Sequence, residues 1–357
     1  MMTNPDEDYW LMLRASEQEE KNAAALQIKA IEDVEPLDGQ FGVHPKKSVP
    51  DPLHAPLFGQ PDPTEAEIAR YGDVESVPPL RTYAIVDAAK MPYLLTSQLE
   101  EAELCHQSLF QGKTQEKLKE HAPYLVELQD DNFTRRLFTT DKAMGLWEKE
   151  LGVYIRSREP FDLIRKHFRK FTRIQDEKGK WFYVRFWEAS VISELVRSER
   201  QDLRLTFSPT LFPDRVTIAS WIVCSGRRCV ILRQAPKTAP AGALQKLEPQ
   251  TKELLRQAKC RADLSKLAGK VVEKVSTHQI PNKDSLYLRL MEKGEIYLGI
   301  GFRKREHLTM LMVWEALLGP DFLESYAEGA ARVIVNDSKS AVEALNRLKA
   351  LMREIAE

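Results

Sequence analysis

The sequence has few cysteines and no excess of either charge. Its 357 residues include four cysteines, none of them in a Cys-x-x-Cys pair. This spacing argues against a zinc or redox site and favours small buried hydrophobic roles for the cysteines. The 52 basic and 53 acidic residues nearly cancel. A balanced charge argues against a protein that is dedicated to nucleic acids or to anionic membranes.

Long apolar runs are also missing. No stretch approaches about 18 consecutive apolar residues, the length that a membrane-spanning helix requires. Residues 1–8 are acidic, whereas a secretory signal begins with basic residues and continues with an apolar run. With 43% hydrophobic and 29% charged residues, the composition is typical of a soluble globular protein. We therefore expect a cytoplasmic protein.

The sequence contains only partial matches to motifs for catalysis and cofactor binding. Gly112-Lys-Thr114 resembles the end of a phosphate-binding loop, but Gln107 occupies the position of the first glycine that this loop needs. Gly299-Ile-Gly301 lacks the third glycine of a dinucleotide fingerprint. The sequence has no Gly-x-Ser-x-Gly and no His-Glu-x-x-His, and its histidines have no ligand-like spacing. We predict no catalytic residue, no cofactor and no metal.

Composition and periodicity divide the chain into five segments. Nine of the 20 prolines fall between Pro36 and Pro79, which indicates an extended tether or belt, interrupted by a short capped helix at 64–71. The segments are an N-terminal helix at 1–35, the Pro-rich linker or belt at 36–79, an α/β domain at 80–205, a β-hairpin connection at 206–240 and a mainly helical lobe at 241–357.

The central domain alternates apolar β-type runs with helical periods, which is typical of an α/β layer structure. We predict a mixed sheet flanked by helices, with the hairpin at 173–187 as its antiparallel edge. The C-terminal lobe is predicted to be mainly helical at 244–275, 304–318 and 338–355, with an interruption at 285–290. The predicted strands of the domain lie at 82–87, 105–110, 124–128 and 151–156, and its helices at 91–103, 114–121, 132–143 and 160–171.

Two charged features of this domain invite interpretation. Arg185 lies between apolar residues, so if it points inward it needs an acidic partner, for instance Asp87 or Glu188. Asp87 ends a predicted strand, where it either caps the next turn or serves as an acid in an α/β enzyme. The basic helix face at 165–173 is interpreted as a solvated or protein-contacting face, with phosphate binding as the alternative.

The order of several short motifs resembles a known family. These motifs are Tyr83-Ala-Ile-Val-Asp-Ala88, Ser108-Leu-Phe-Gln-Gly112, Ala122-Pro-Tyr-Leu-Val-Glu-Leu128 and Val184-Arg-Phe-Trp187. Together they resemble the adaptor domain of type VI secretion effector-loading adaptors, also called Tap or TEC, over residues 81–205. Where the family usually continues Arg-Phe-Tyr-Asp-Pro, this chain has Trp187 for the tyrosine and Glu188-Ala189 for Asp-Pro.

The resemblance implies a non-enzymatic cytoplasmic adaptor of a Gram-negative bacterium. Such adaptors bind a toxic effector and help to seat it on the VgrG spike protein, without binding nucleic acid or membrane. The alternatives are an α/β enzyme, hydrolase- or transferase-like, with an atypical site near Asp87, and a nucleic-acid-associated protein that uses the basic helix face. Candidate partner-binding residues are Trp181, Phe182, Arg185, Trp187, Glu188 and Trp314, although aromatic residues of this kind more often belong to a core than to an interface.

Overall fold

The computed structural model describes residues 26–140, 145–197, 210–213, 216–234, 246–275 and 282–356. The chain forms two compact units, Met1–Ala258 and Lys259–Glu357. The first unit contains two β-sheets with flanking helices, and the second unit is helical. The predicted fold class, an α/β domain followed by a mainly helical lobe, is therefore confirmed.

The secondary-structure elements of the described residues are mostly short. The strands are β1 Gln27–Ile31, β2 Arg81–Asp87, β3 His106–Ser108, β4 Pro123–Leu128, β5 Gly152–Ser157, β6 Arg173–Asp176, β7 Trp181–Tyr183, β8 Ser220–Ser225, β9 Arg228–Arg233 and β10 Lys246–Leu247. The helices are α1 Asp51–Phe58, α2 Glu65–Tyr71, α3 Leu94–Glu101, α4 Gly112–Leu118, α5 Asn132–Leu137, α6 Phe161–Phe168, α7 Ala189–Arg197, α8 Pro249–Val275, α9 Lys283–Ile300, α10 Arg305–Leu318, α11 Phe322–Ser325, α12 Ala330–Asp337 and α13 Ala341–Ala356.

A seven-stranded main sheet organises the first unit, in the order β1-β9-β8-β5-β2-β4-β3, with antiparallel pairing throughout. Successive side chains of a strand point to opposite faces of a sheet. Ala84 and Val86 of β2 therefore pack on the face that α1, α3 and α5 cover. Tyr83 and Ile85 pack on the opposite face, beneath α6 and α7. Because both faces are covered, β2 is an almost continuous apolar run.

The hairpin of β6 and β7 was predicted as an edge of the main sheet, and this prediction is wrong. The hairpin forms a separate small sheet in the order β10-β6-β7, in which β10 runs parallel to β6. One face of this sheet carries Ile174 and Val184, which pack with Leu247 and Ala258 at the start of α8. Because α8 covers this apolar face, the hairpin does not need to pair with the main sheet to bury it.

The hairpin of β8 and β9 was predicted as a connection, but it lies within the main sheet. β8 pairs with β5, and β9 pairs with β1. Cys224 and Cys229 are registered opposite each other in this hairpin and form a disulfide, with their Cα atoms 4.1 Å apart. Both residues are buried, as expected of small hydrophobes, but their disulfide was not predicted, and Cys105 is exposed.

The N-terminal helix predicted within 1–35 falls largely outside the described residues, and its last part is a strand. Gln27–Ile31 pairs antiparallel with β9, from Gln27 opposite Arg233 to Ile31 opposite Cys229. Helix preference is a weak local bias, and an open sheet edge that offers backbone partners overrides it. The edge of β9 lies some 200 residues further along the chain, so local sequence does not reveal it.

The interruption predicted at 285–290 is also wrong, because these residues lie inside α9. Leu286, Leu290, Gly294 and Tyr297 are buried at helical spacing along this helix. The short run Ser285–Leu290 alternates like a strand when it is considered alone, and only the longer window shows the helical period.

The Pro-rich belt, residues 36–79, contains two helices. The capping box predicted at the start of α2 is confirmed, since Thr64 and Glu67 exchange side-chain-to-backbone hydrogen bonds. α1 was not predicted, because Pro52 and Pro56 both lie within it. Pro52 occupies the first turn, where no amide donor is needed, and the fully buried Leu53 and Leu57 fix the helix on the core.

Two arginines, Arg156 in β5 and Arg158 just after it, hold the belt against the main sheet. Arg156, only 1% exposed, donates to the backbone carbonyl groups of Pro56, Gly59 and Leu80 at 3.3, 2.5 and 3.2 Å. A Pro-rich segment has more carbonyl acceptors than amide donors, so it needs donors from elsewhere. Burial, and then the charge of Arg158, lower the pKa of Arg156 to about 10. The guanidinium therefore remains charged at neutral pH.

Arg158 makes the second attachment. Its Nε donates to Oε1 of Glu67 at 2.7 Å, and its Nη1 and Nη2 donate to the carbonyl groups of Pro78 and Pro61 at 2.6 and 3.3 Å. The arginine therefore joins both ends of the second half of the belt to the chain just after β5. Burial acts to raise the pKa of Glu67, but hydrogen bonds from Thr64 and Arg158 outweigh it and lower that pKa.

We predict that Arg158→Ala releases the belt. Hydrogen bonds that involve charged groups contribute about 1.5–3 kcal/mol each, so the free energy of unfolding is expected to fall by at least about 2 kcal/mol. Thermolysin is expected to cut between residues 59 and 80 faster than in the wild type. The control is Arg227→Ala, because Arg227 pairs with Glu35 on the surface and such pairs contribute about 0–1 kcal/mol. Equal cleavage of both variants would contradict the prediction.

Strand β3 is an edge of the main sheet, so one side of its backbone lacks a strand partner. The amide of Leu109 donates to the carbonyl of Pro123 at 2.9 Å, just beyond the end of β3. Hydrogen-bonded and non-hydrogen-bonded pairs alternate along an antiparallel ladder. The backbone of Gln107 therefore faces β4, and the backbone of His106 faces away from it.

This alternation predicts different effects for proline at two adjacent positions. Gln107→Pro removes a ladder donor and leaves a buried carbonyl unpaired, which is expected to cost about 1–3 kcal/mol and several degrees of Tm. His106→Pro removes an outward N–H and the ring contact between Nδ1 and the Leu104 carbonyl, so its effect is expected to be smaller. Thermal unfolding of the two variants measures the difference, and a reversed order would refute the register.

Candidate protein-interaction surface

The solvent-facing side of the small sheet displays an unusual amount of aromatic surface. Trp181 and Tyr183 are 53% and 49% exposed. They are two residues apart on β7, so they project from the same face. The guanidinium of Arg173, on β6, lies 4.6 Å from the Trp181 ring centroid and 5.8 Å from that of Tyr183. We call these three residues the aromatic face.

The other side of the small sheet is a packed layer. Phe182 is partly buried and packs with Ile174, Val184 and Leu255. The ammonium group of Lys252 lies 3.8 Å from the Phe182 ring centroid, a cation–π contact. Phe182, predicted to bind a partner, therefore has a structural role in joining the hairpin to α8.

An aromatic contact anchors the hairpin to the main sheet. The Tyr183 and Phe110 ring centroids are 5.4 Å apart, and Phe110 is buried in the main-sheet core. The Tyr183 ring of the aromatic face is thus held by contact with Phe110. Side chains held in this way lose less conformational entropy when they bind a partner.

Arg185 has the acidic partners that the sequence predicts. It forms an ion pair with Asp87, and its Nε lies 3.4 Å from Oε2 of Glu188. Both carboxylates are buried, at 1% and 5% exposure, whereas the arginine side chain is 45% exposed. Asp87 Oδ1 also accepts from the Ala89 amide at 3.1 Å. The capping and ion-pair interpretation of Asp87 is confirmed, and its two carboxylate oxygens are engaged in these contacts.

Trp187 and Glu188 do not belong to the exposed surface. Trp187 is 2% exposed and packs edge-to-face with Phe186, at 5.1 Å between ring centroids. It begins the apolar stripe that continues along α7 through Ile192 and Val196. The prediction of these two residues as partner contacts is replaced by a core position for Trp187 and by the ion pair with Arg185 for Glu188.

Trp314 lies in the second unit. It is partly buried and packs edge-to-face with Phe322, at 6.0 Å between ring centroids. The adjacent Glu315 is fully buried and accepts hydrogen bonds from the Tyr297 hydroxyl and the Asp321 amide, both at 3.0 Å. Trp314 is therefore mainly a packing residue, with part of its ring accessible.

Basic side chains lie on α6 and on the residues that connect it to β6. Lys166, Lys170 and Arg173 are exposed, and none has an ion-pair partner among the described residues. Burial, followed by the charge of Arg169, lowers the pKa of Arg165. The predicted basic face is thus present, and Arg173 belongs both to it and to the aromatic face.

Sequence reasoning missed Arg173 and Tyr183 as members of this surface. The alternation Trp181-Phe182-Tyr183 contains a signal, because it separates two faces of a strand. The cross-strand register of Arg173 opposite Tyr183 follows from the turn between the strands. If the two faces of the strand are considered separately, Tyr183 joins the predicted partner-binding residues and Phe182 is excluded from them.

Other predicted features have simple structural positions. Gly112-Lys-Thr114 begins α4, where Gly112 has a φ of +52°. Within the described ranges no group of three or more His, Cys, Asp or Glu side chains is arranged to hold a metal ion. No helix in the same ranges is long and apolar enough to cross a bilayer.

In a comparison with known protein families, one part of the chain matches a family model. Residues 82–204 match the family model described as a domain of unknown function, DUF4123. This range begins in β2, passes the hairpin and ends beyond α7. The match agrees with the bounds of 81–205 inferred from the motifs. No curated protein and no solved structure matches the chain.

The Asp87–Arg185 pair predicts a coupled effect on stability. Arg185→Leu leaves the Asp87 carboxylate buried without its guanidinium, and we expect a loss of about 1–3 kcal/mol in the free energy of unfolding. In the double variant with Asp87→Asn, part of this loss is expected to be recovered, because the remaining amide is neutral and still able to cap Ala89. Urea denaturation of the single and double variants measures the coupling. Strict additivity would contradict the pairing.

Proposed function

We propose that this protein is a cytoplasmic adaptor that binds a type VI secretion effector and loads it onto the VgrG spike protein. The observation that carries the proposal is the DUF4123 match over residues 82–204, a family that occurs in the context of type VI secretion adaptors. The motif order from Tyr83 to Trp187, which resembles these adaptors, supports the same assignment.

The aromatic face supports a role in protein binding. Tryptophan, tyrosine and arginine are the residues most enriched in binding hot spots, because they combine large apolar area with polar groups. On this face Trp181 and Tyr183 provide rigid rings. Arg173, stacked between them, keeps donors for a carboxylate. The partner segment that fits is apolar with an acidic residue beside it.

The basic side chains of α6 and of the turn that follows it extend this complementarity. Lys166 and Lys170 increase the positive potential near the aromatic face, and such a potential accelerates encounter with an acidic segment. An effector segment bound mainly through the rings and positioned by these charges should show moderate salt dependence. This separates the proposed role from nucleic-acid binding, in which released counterions make affinity fall steeply with salt.

The experiment is an affinity purification from a native lysate in which the secretion system is expressed. The wild type is expected to recover a large effector together with VgrG, identified by mass spectrometry. The double variant Trp181→Ala, Tyr183→Ala is expected to lose effector recovery. Truncation of a hot-spot residue costs about 2 kcal/mol or more, a factor of about 30 in affinity.

Phe41→Ala is the matched control, because Phe41 is 92% exposed and lies on the belt rather than on the aromatic face. It is expected to recover effector and VgrG as the wild type does. If the wild type recovers neither protein, the adaptor function is refuted. If the double variant binds as well as the wild type, the function stands and the aromatic face is not the binding surface.

A further inference from the structure

An open cavity of about 260 Å³ lies in the second unit. Its lining comes from α8, from the end of α9, and from the start of α10 with the residues just before it. The residues that line it are Cys260, Asp263, Leu264, Lys266, Leu267, Leu298, Arg303, Arg305 and Leu308.

Four leucines form the apolar part of the lining. Leu264, Leu267 and Leu308 are buried and Leu298 is partly buried, and all four belong to the hydrophobic core of this unit. The cavity is therefore a recess in the core that opens to solvent. Concave apolar surfaces with a few polar groups at the edge are the usual form of a ligand site, and burial of an aliphatic side chain there is favourable.

The charges at the edge of the cavity are unbalanced. Arg303 and Arg305 are exposed, and neither has an ion-pair partner among the described residues. Asp263, the one acidic residue of the lining, pairs with Lys259 on its own helix at 3.0 Å. An anionic group bound beside the leucines would therefore meet two arginines that are not committed to other carboxylates.

The start of α10 adds to this positive edge. Its cap residue, Lys304, makes no side-chain hydrogen bond to the first turn, and amide groups at a helix start favour anions. His307, in the same turn, is 9% exposed, and its Nδ1 has no hydrogen-bond partner among the described residues. The apolar recess and the two arginines define the site, and the helix start reinforces their charge.

We propose that this cavity binds the carboxyl terminus of a partner polypeptide that ends in an aliphatic residue. The terminal side chain occupies the leucine recess, and the terminal carboxylate pairs with Arg303 and Arg305. A terminal residue carries its side chain and its carboxylate on the same Cα. It thus supplies both groups within a cavity of this size, whereas an internal acidic segment supplies them from different residues. The site is independent of the aromatic face.

Cys260 provides a reporter for the test. It lines the cavity and is a free, partly exposed thiol, whereas Cys224 and Cys229 are joined in a disulfide. In full-length protein with Cys105→Ser, the rate of Cys260 alkylation by iodoacetamide is measured by mass spectrometry at increasing concentrations of N-acetyl-Leu-Leu. The free acid is expected to slow alkylation in a saturable manner.

Two comparisons make the result specific. N-acetyl-Leu-Leu-amide, which lacks the carboxylate, is expected to protect Cys260 at least about tenfold less well, as the loss of one charged hydrogen bond implies. Arg303→Gln with Arg305→Gln is expected to weaken the free acid similarly, whereas Arg353→Gln, an exposed arginine on α13, is expected to leave it unchanged.

The proposal is overturned by absence of protection, by equal protection from the acid and the amide, or by equal protection of the arginine double variant. Dodecanoate is the further comparison, and protection by dodecanoate that is stronger than by the peptide would identify a fatty-acid site instead. Because the readout requires no effector, its outcome is separate from that of the adaptor function.

Discussion

The structure of the first unit depends on the donors that Arg156 and Arg158 supply to the belt. A segment with nine prolines in 44 residues lacks the amide donors to satisfy all of its own carbonyl groups. Arg156 in β5 and Arg158 just after it supply donors to these carbonyl groups, because a guanidinium carries five donors in a fixed fork. Arg158 also pairs with Glu67, whereas Arg156 has no carboxylate partner among the described residues. Helix α1 of the belt covers part of one face of the main sheet. The surfaces left accessible to other molecules include the sheet edges and the small sheet.

A second charged contact determines how the small sheet is presented. Asp87 is the last residue of β2, an inner strand of the main sheet, and Arg185 lies two residues after the end of β7. Their ion pair, together with the packing of Phe110 on Tyr183, connects the hairpin to the main sheet at two points. The opposite face of the hairpin packs on α8. With both attachments in place, Trp181 and Tyr183 remain exposed although they are among the largest apolar side chains of the unit. Their exposure is thus a consequence of how the hairpin is anchored.

Much of this organisation follows from local sequence. The order of strands and helices from β2 to α7 was predicted, and so was the partnership of Arg185 with Asp87 and Glu188, because an inward arginine requires an acid. What local sequence does not contain is the choice of distant partners. β1 is a strand because it pairs with the edge of β9. α1 forms despite Pro56 because Leu53 and Leu57 are buried in the core. The β6–β7 hairpin forms its own sheet because α8 covers its apolar face. The aromatic face was only partly predicted for the same reason: Phe182 and Tyr183 differ in what packs against them, not in their propensity.

The two recognition features differ in what they demand of a partner. The aromatic face lies on a small sheet and has a cation close to two rings, so the proposed partner there is the side of a segment that carries apolar and acidic groups. The cavity near Arg303 and Arg305 is a recess, and the proposed ligand there is a single terminal residue with its carboxylate. A flat surface provides area and tolerates variation in the partner, whereas a recess provides selectivity with little area. In the proposed adaptor function, two separate sites of this kind would allow contacts with a cargo to be made and lost independently.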